Sequence, residues 1–322
     1  MKKPDQHNPE FKNAWHLIGK SRSVFMTTHE GTDGDDLGSL LALRQVLLKM
    51  GKKVAVAAKK GVPQSIKFLP GTNHVGSDFA AGDYDLVVTF GCTKLERTNM
   101  PELGELQVPI LNFDHHPDNS FFGTVNVVDP NTAAVAELIY YFLRSHKVEI
   151  DKNIGICLLT GIFTDTGGFK HANTSAEVLE VASELLKKGA RIDRIAAFTY
   201  GQKRPQTLKA WSRGLENTRF DPKRQLVYSV MTEEDLKELG ATEEDLQGFV
   251  EMLNHIPQAK FALLLRQDGD TVKGSMRSEL HKGTDVSEIA HLFGGGGHKL
   301  AAGFTVSGKL VKEGKNWMIK AD

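Results

Sequence analysis

The sequence predicts an α/β protein of two domains. We expect an N-terminal domain built on a mainly parallel sheet and a smaller C-terminal α+β domain with a mixed sheet, with a cleft between them. In the first part of the chain, short apolar runs alternate with loops and helical patterns, which is typical of βαβ units. After Gly189 the order changes to paired strands and paired helices. The length of 322 residues also favours two domains.

The predicted N-terminal domain spans residues 1–198. Its strands are apolar runs that end in loops, and its helices show an apolar stripe or a capped start. The predicted strands are 23–28, 53–58, 85–90, 108–113 and 124–128, and the predicted helices are 9–20, 40–50, 132–146 and 176–188. A further apolar run at 154–163 predicts another buried element.

A linker region is predicted over residues 199–214, and the C-terminal domain over residues 215–322. The order of elements in that domain is β-β-α-α-β-β-α, with strands at 225–231, 261–266 and 271–277 and helices at 233–239 and 243–255. Thr232 and Thr242 occupy cap positions of these helices, since acids follow each of them in the first turn. Four glycines at 294–297 precede His298, where a new helix could begin.

Composition excludes several classes of protein. Forty basic and forty acidic residues give a formal net charge of zero, whereas proteins that bind long duplex nucleic acid carry a basic excess. Two cysteines without a Cys-x-x-Cys motif exclude a disulfide framework and favour a reducing compartment. The N-terminus has no apolar signal region, and no apolar stretch approaches the roughly 20 residues of a membrane span. We therefore expect a cytoplasmic protein with a small substrate and no membrane contact.

The first predicted strand ends in an acidic loop that contains His29, Asp33 and Asp35. The two aspartates flank a single glycine, so in a tight turn both carboxylates can point into one pocket. The alternative is that Asp-Gly-Asp is only a turn, because Asp and Gly dominate turns.

The triplet Asp114-His115-His116 follows the strand at 108–113. Open α/β sheets place their ligand sites at this end of the strands. A carboxylate with imidazoles suits Mn, Fe, Co or Zn better than Ca or Mg. Two adjacent histidines in a loop can also be merely solvated, so the triplet needs partners elsewhere in the chain.

Asp165 ends the apolar run at 154–163 and is expected to need a metal or a hydrogen-bond partner, because an unpaired buried carboxylate is costly. Downstream, Thr174 or Ser175 can cap the helix that begins at residue 176. A helix N-terminus is a natural phosphate site, although these two residues can equally be caps and nothing more.

Two glycine-containing segments mark the C-terminal domain, 274–278 and 294–303. Consecutive glycines are tolerated where the backbone must approach another group closely or present several N–H groups to an anion. Apolar residues flank the glycine run on both sides, which argues against a flexible linker.

In this order and spacing, the acidic loop, the triplet, the Thr-Asp-Thr-Gly-Gly-Phe segment and the Gly-Gly-Gly-Gly-His segment resemble the DHH phosphoesterase family with its associated C-terminal substrate-binding domain. The resemblance runs from about Val24 to Val306. It is strongest to the bacterial nano-RNases that also act as 3′,5′-adenosine bisphosphate phosphatases and as phosphodiesterases on diadenylates. The triplet alone is unspecific, but the four segments together are very specific.

The resemblance implies a site for two metal ions, usually Mn²⁺, with Mg²⁺ or Co²⁺ as alternatives. His29 and Asp33 would bind the first metal. Asp35, His115 and Asp165 would bind the second. Asp114 would orient His115, and His116 would lie beside the scissile phosphate as an electrostatic stabiliser or proton donor. The implied substrate-binding residues are Arg277, Ser278, Gly295, Gly296, Gly297, His298, Lys170, Asn173 and Thr174.

The same resemblance implies an exonuclease and phosphatase in which a metal-activated water attacks phosphorus. Its substrates would be short single-stranded RNA, linear or cyclic diadenylate (c-di-AMP in the cyclic form) and 3′,5′-adenosine bisphosphate. It also implies a homodimer.

One position departs from the family pattern. The strand at 85–90 usually ends in an aspartate that bridges both metals, and this chain has Gly91 there. Asp36 or Glu30 could compensate, although Asp36 could equally face solvent. Two alternatives therefore stand beside an active enzyme: a degenerate or inactivated member that binds nucleotide with little turnover, and a variant that uses a single metal. Thr32 replaces a usual proline, a change we expect to be harmless.

Overall fold

The computed structural model describes residues 9–201, 203–314 and 316–320. The chain divides into two compact units, Met1–Gln202 and Lys203–Asp322. The first unit contains a parallel six-stranded sheet and the second a mixed six-stranded sheet, so the predicted two-domain α/β class is confirmed. Within the described ranges, no helix has the length and apolar character needed to cross a membrane.

Most predicted elements of the first unit lie close to their predicted bounds, and some short elements were not predicted. Its helices are α1 (Pro9–Lys20), α2 (Gly34–Lys49), α3 (Glu102–Glu105), α4 (Val135–Ser145), α5 (Lys152–Asp165), α6 (Ala176–Lys187) and α7 (Ile192–Ala196). Its strands are β1 (Ser23–Thr28), β2 (Lys53–Ala57), β3 (Val75–Gly76), β4 (Leu86–Phe90), β5 (Ile110–Asp114) and β6 (Val125–Val128). The apolar run at 154–163 lies inside α5 and is almost wholly buried.

The strands of the first sheet are all parallel and lie in the order β3-β2-β1-β4-β5-β6. The direction in which strands are added reverses between β1 and β4. In open parallel sheets, the carboxyl ends of the strands at such a reversal flank the ligand site. The topology therefore points to a site where β1 and β4 end, at Thr28 and Phe90.

Helices α2 and α5 pack closely because glycines lie at their contact. A β-carbon at Gly38 would come 2.4 Å from the carbonyl oxygen of Cys157, and one at Gly34 would come 2.6 Å from Oγ1 of Thr164. Only glycine permits this approach. The contact brings the end of α5, where Asp165 lies, to the start of α2.

The second unit has helices α8 (Pro205–Glu216), α9 (Glu233–Leu239), α10 (Phe249–Leu253) and α11 (Val286–His291). Its strands are β7 (Arg219–Asp221), β8 (Leu226–Met231), β9 (Phe261–Asp268), β10 (Thr271–Ser278), β11 (Gly296–His298), β12 (Ala301–Ser307), β13 (Lys309–Glu313) and β14 (Asn316–Lys320). The order in the larger sheet is β11-β12-β10-β9-β8-β7. Strands β8 and β9 are parallel and their described neighbours pair antiparallel.

The structure differs from three predictions that were made for residues 199–322. Most of the segment predicted as a linker, 199–214, belongs to α8, which buries residues such as Ala210 in the second unit, so that unit begins with a helix. The predicted helix at 243–255 is interrupted at Gly248, whose φ of +86° is left-handed. His298 ends strand β11 and does not begin a helix, because it pairs with Ala301 of β12.

Candidate functional site

Helix α2 begins before residue 40, where it was predicted to start, because Asp33 caps it. The Asp33 side chain accepts hydrogen bonds from the backbone N–H groups of Asp35 and Asp36, at 2.9 and 3.0 Å. The helix therefore starts at Gly34, and both following acids lie in its first turn, where the helix dipole favours negative charge. Both are buried just beyond the end of β1.

His29, Asp33 and Asp36 form a first group of possible metal ligands, in which one donor atom of each lies within 4.8 Å of the others. Nε2 of His29 is 2.7 Å from Oδ2 of Asp36. Burial by itself would lower the pKa of His29, but the charge of Asp36 outweighs it and raises that pKa to about 9. The resemblance implied His29 and Asp33 as ligands and left the direction of Asp36 open; the structure brings Asp36 into the group.

Asp35, His115 and Asp165, the residues expected at the second metal, also come together. One donor atom of each lies within 4.8 Å of the others. Nε2 of His115 is 3.5 Å from Oδ2 of Asp165, and its Nδ1 lies 3.3 Å from the carbonyl oxygen of Thr132. The tertiary fold therefore joins the ends of β5 and α5 to the start of α2.

Two helices hold the Asp35 carboxylate. It lies in the first turn of α2 and accepts hydrogen bonds from the N–H groups of Val135 and Ala136 at the start of α4, at 2.7 and 2.8 Å. Burial and the charge of Asp165 nevertheless raise the pKa of Asp35 well above its usual value. Desolvation and the charges of Asp33 and Asp36 likewise raise the pKa of Asp165. Acids crowded in this way, with imidazole beside them, fit a divalent cation such as Mn²⁺.

Asp114 contacts the ring of His116, whereas the resemblance implied that it orients His115. Oδ1 of Asp114 accepts a hydrogen bond from Nδ1 of His116 at 2.7 Å and others from the backbone N–H groups of His115 and His116 at 2.8 and 3.2 Å. The chain turns sharply after β5, so both N–H groups point back at this oxygen and the second imidazole is the one that lies beside it.

This contact shifts the pKa values of both partners. Burial alone would raise the pKa of Asp114, but the hydrogen bond and charge of His116 lower it overall. Burial alone would lower the pKa of His116, and the bond to Asp114 instead raises it to about 9. A protonated imidazole beside a carboxylate can donate a hydrogen bond or a proton.

Asn119, which the sequence analysis missed, holds the Asp114 carboxylate from the other side. Its Nδ2 donates to Oδ2 of Asp114 at 2.5 Å and to the carbonyl oxygen of Cys92 at 3.0 Å. Asn112 donates to the same carbonyl at 3.2 Å. These bonds tie the loop after β4 to the loop after β5. The available signal was Asn112 inside an apolar strand, since a buried amide needs hydrogen-bond partners from neighbouring segments.

Asn173, one of the predicted substrate residues, contacts the backbone of the second group. Its Nδ2 donates to the carbonyl oxygen of Asp165 at 3.3 Å. Its Oδ1 and Oγ1 of Thr174 are buried and accept no hydrogen bond within the described chain. Lys170 is exposed. Ser175, not Thr174, caps α6.

Arg277 and His298 of the second unit lie in one row of its sheet. Arg277 of β10 and His298 of β11 both pair in register with Ala301, because β12 lies between those two strands. Directly opposed residues of antiparallel strands place their side chains on the same face, so the two predicted phosphate-binding residues share a face. Nε of Arg277 donates to Oε1 of Glu251 at 2.7 Å, a partner that the sequence analysis missed.

The glycine run has packing reasons of its own. A β-carbon at Gly295 would lie 2.1 Å from a carbonyl oxygen of β12, and one at Gly297, where φ is +133°, would lie 2.6 Å from another. At Gly296 the nearest atom would be 3.7 Å away, so packing does not require glycine there. The hydroxyl of Ser278 is used inside the unit, because it donates to the carbonyl oxygen of Lys260 at 2.9 Å.

Comparison with known proteins agrees with this arrangement. Residues 23–162 match the N-terminal domain of the DHH family, and residues 223–319 match the DHHA1 domain. The chain is 31% identical over 289 residues to the bifunctional oligoribonuclease and PAP phosphatase NrnA of Thermus thermophilus, covering 88% of this chain and 84% of that protein.

Solved structures share the fold. An exopolyphosphatase-related protein from Bacteroides fragilis is 24% identical, with a TM-score of 0.85 over 93% of this chain and 92% of that one. The exonuclease RecJ bound to manganese is 15% identical, with a TM-score of 0.52 over 92% and 90%. Together with the matched domains and the Thermus relative, these findings show that the chain belongs to the DHH family, with a DHHA1 domain in its C-terminal part, and is a hydrolase acting on phosphoester bonds.

Proposed function

We propose that this chain is a metal-dependent phosphoesterase that hydrolyses short oligoribonucleotides and small nucleotides. The observation that supports this most directly is the pair of three-residue donor groups at the carboxyl edge of the parallel sheet. The Thermus relative, named as an oligoribonuclease and PAP phosphatase, supports the choice of substrate. The balanced charge of the chain agrees with a short substrate.

His29 and Asp33 would hold one metal ion, and Asp35, His115 and Asp165 the other. Bound divalent ions lower the pKa of water and offset the charge that develops on phosphorus oxygens. Mn²⁺ is the ion that the donor set and the resemblance favour, with Co²⁺ and Mg²⁺ as alternatives.

We propose that His116 lies beside the scissile phosphate of the bound substrate. Asp114 accepts a hydrogen bond from Nδ1 of His116 and raises the pKa of the ring, which favours its protonated form. Such a group can stabilise negative charge on the phosphate or give a proton to the leaving oxygen. Asp114 acts as its positioning residue.

The second unit would bind the rest of the substrate. Arg277 and His298 share a sheet face on which a phosphate group can accept hydrogen bonds from both. We propose the backbone of the glycine run, residues 295–297, as a further contact to this phosphate. Lys170, Asn173 and Thr174 are proposed as further contacts from the first unit.

The direct test is turnover by the full-length protein after EDTA treatment and addition of Mn²⁺. Substrates are 3′,5′-adenosine bisphosphate, short 5′-labelled ribo-oligonucleotides, and linear and cyclic diadenylate, with release of phosphate or mononucleotide as the readout. Asp33→Asn should abolish turnover. Glu30→Gln removes the same charge from the same loop, but Glu30 bonds to Asn99 and Lys60, so this variant should stay active.

Absence of turnover on every substrate with Mn²⁺, Co²⁺ and Mg²⁺ would contradict the proposal. The alternative, a degenerate member that holds nucleotide without hydrolysing it, would then be supported if 3′,5′-adenosine bisphosphate still binds in calorimetry. A single-metal variant would show one bound ion per chain by elemental analysis together with turnover. Gly91 is the observation behind both alternatives.

We infer from the resemblance that the chain forms a homodimer, and from its composition that it acts in the cytoplasm. Light scattering coupled to size-exclusion chromatography tests the first expectation. Fractionation of the source cells tests the second.

A further inference from the structure

Asp36 fills the space beside Gly91. Gly91 follows β4 directly and has a φ of +61°. A β-carbon at this position would lie 1.9 Å from Oδ1 of Asp36 and 2.6 Å from its carboxyl carbon, closer than non-bonded atoms approach. A side chain at position 91 and the Asp36 carboxylate therefore compete for one volume.

The Asp36 carboxylate is directed into the first ligand group. Its side chain is only 4% exposed, and Oδ2 receives no hydrogen bond of acceptable geometry from the described residues, although Nε2 of His29 lies 2.7 Å away. The ring of His29 meets this oxygen, and a divalent cation can take both donor atoms as ligands. Its donor atom lies within 4.8 Å of those of His29 and Asp33.

Glu30, the other acid that could compensate for Gly91, is engaged elsewhere. Its carboxylate accepts a hydrogen bond from Nδ2 of Asn99 at 2.7 Å and lies 3.3 Å from Nζ of Lys60. These contacts hold it at the surface, outside both ligand groups. Asp36 is therefore the acid in this loop whose position matches the missing side chain.

We propose that Asp36 is the third protein ligand of the first metal site and that it acts from the space that a side chain at position 91 would otherwise occupy. There is room for one carboxylate only, either from position 36 or from position 91. This inference rests on the proposed function only for the identity of the metal. It means that the departure at Gly91 relocates a ligand and does not remove one.

The first test is Mn²⁺ binding to the EDTA-treated, full-length chain, measured by calorimetry and elemental analysis without substrate. Asp36→Asn keeps the size of the side chain. It should lower the Mn²⁺ affinity of one of the two expected binding steps at least about tenfold, as loss of a group that holds a metal does. Glu30→Gln is the matched control and should bind Mn²⁺ as the wild type does.

Wild-type Mn²⁺ affinity and stoichiometry in Asp36→Asn would overturn the proposal. So would failure of this variant to fold in EDTA, measured by circular dichroism, because a ligand that contributes one of several crowded charges should not be needed by the metal-free fold.

The second test is reciprocity between the two positions. Gly91→Asp alone should lower the melting temperature, because its β-carbon meets Asp36, and should not improve Mn²⁺ binding. In an Asp36→Ala background the same substitution should restore Mn²⁺ affinity at least about tenfold relative to Asp36→Ala, since aspartate tolerates a left-handed φ better than most residues. If Gly91→Asp changed the Mn²⁺ affinity equally in the wild type and in Asp36→Ala, the proposal would be contradicted.

Both tests measure metal binding and folding without turnover, and so remain separate from the proposed function. If Mn²⁺ binding depends on Asp36 as expected but the wild type turns over no nucleotide, the ligand assignment stands and the substrate proposal fails. If the wild type turns over 3′,5′-adenosine bisphosphate while Asp36→Asn binds Mn²⁺ normally, the function stands and the ligand assignment fails.

Discussion

Oδ1 of Asp114 lies 2.7 Å from Nδ1 of His116, while the ring of the neighbouring His115 turns away toward Asp165. Adjacent imidazoles of one triplet therefore have different surroundings. The first belongs to a group of possible metal ligands, and the second is held by a buried carboxylate that raises its pKa. This division leads to a prediction that separates turnover from metal binding.

Asp114→Asn should reduce turnover about 10- to 100-fold, the usual effect of losing a group that orients a catalytic imidazole or a ligand. Mn²⁺ affinity should stay at the wild-type level, because Asp114 belongs to neither ligand group. Steady-state kinetics on 3′,5′-adenosine bisphosphate and Mn²⁺ calorimetry measure the two quantities. His115→Asn is the matched comparison and should lose Mn²⁺ affinity. A loss of Mn²⁺ in Asp114→Asn with full turnover at saturating metal would disprove the assignment.

Gly38→Ala should lower the free energy of unfolding by about 1–3 kcal/mol, the range found for overpacking. The added β-carbon would lie 2.4 Å from a backbone carbonyl of α5, and backbone cannot move aside as a flexible side chain does. Because the contact positions Asp165, Mn²⁺ affinity should fall as well. Urea unfolding in EDTA and calorimetry are the measurements.

Gly19→Ala is the control for that variant. Gly19 also lies in a helix, but a β-carbon there meets no atom within 4 Å. It should therefore be neutral or stabilise by about 0.5–1 kcal/mol, as removal of a helical glycine does. Equal destabilisation by both variants would show that the close approach of α2 and α5 is not what Gly38 serves.

Asp245→Asn should destabilise the second unit by about 1–3 kcal/mol, the usual cost of leaving buried polar partners unmatched. The carboxylate accepts hydrogen bonds from Arg204, from the hydroxyl of Thr207 and from the N–H of Thr242. Urea unfolding followed by tryptophan fluorescence reports on this region, because Trp211 donates to the carbonyl oxygen of Asp245. Glu244→Gln, an exposed neighbour, is the control.

The wild type and Asp245→Asn should also differ in their pH dependence. Although burial alone would raise the pKa of Asp245, the bonds from Arg204 and Thr207 lower it to about 2. A folded-state pKa below the unfolded value of about 3.9 means that the stabilisation is complete above pH 4 and is lost as the pH falls toward 2. The difference in stability between the two proteins should shrink over that interval. If the difference in the free energy of unfolding stayed constant from pH 6 to the lowest pH at which both proteins fold, this prediction would be wrong.

Arg277→Gln should weaken binding of 3′,5′-adenosine bisphosphate, with a rise in KM of about tenfold or more and a smaller change in kcat, as loss of a charged hydrogen bond to phosphate does. Lys273→Gln is a matched control on the same strand, since Lys273 pairs with Asp268. Mn²⁺ affinity should be unchanged in both. A wild-type KM in Arg277→Gln would remove the phosphate-binding role.

Local pattern was enough to predict most elements of the first unit. Strand β1 and helix α1 have the bounds that were predicted, because a short apolar run marks a buried strand and an apolar stripe marks the buried face of a helix. The start of α2 was placed late, since the side chain of Asp33 could not be assigned to a capping role from composition. The helix at 243–255 was predicted whole because the left-handed φ of Gly248 is a tertiary choice.

By itself, the sequence determined the fold class, most elements of the first unit and the types of residue that could bind a metal. Residue type and spacing are local properties, and they suffice for such statements. Only the tertiary structure decided that Asp114 holds His116, that Asn119 holds Asp114, and that Asp36 lies where a side chain at position 91 would be. Those relationships depend on loop torsions and on how strands β4 and β5 and helix α2 meet, and residues far apart in the chain share that space only after it has folded.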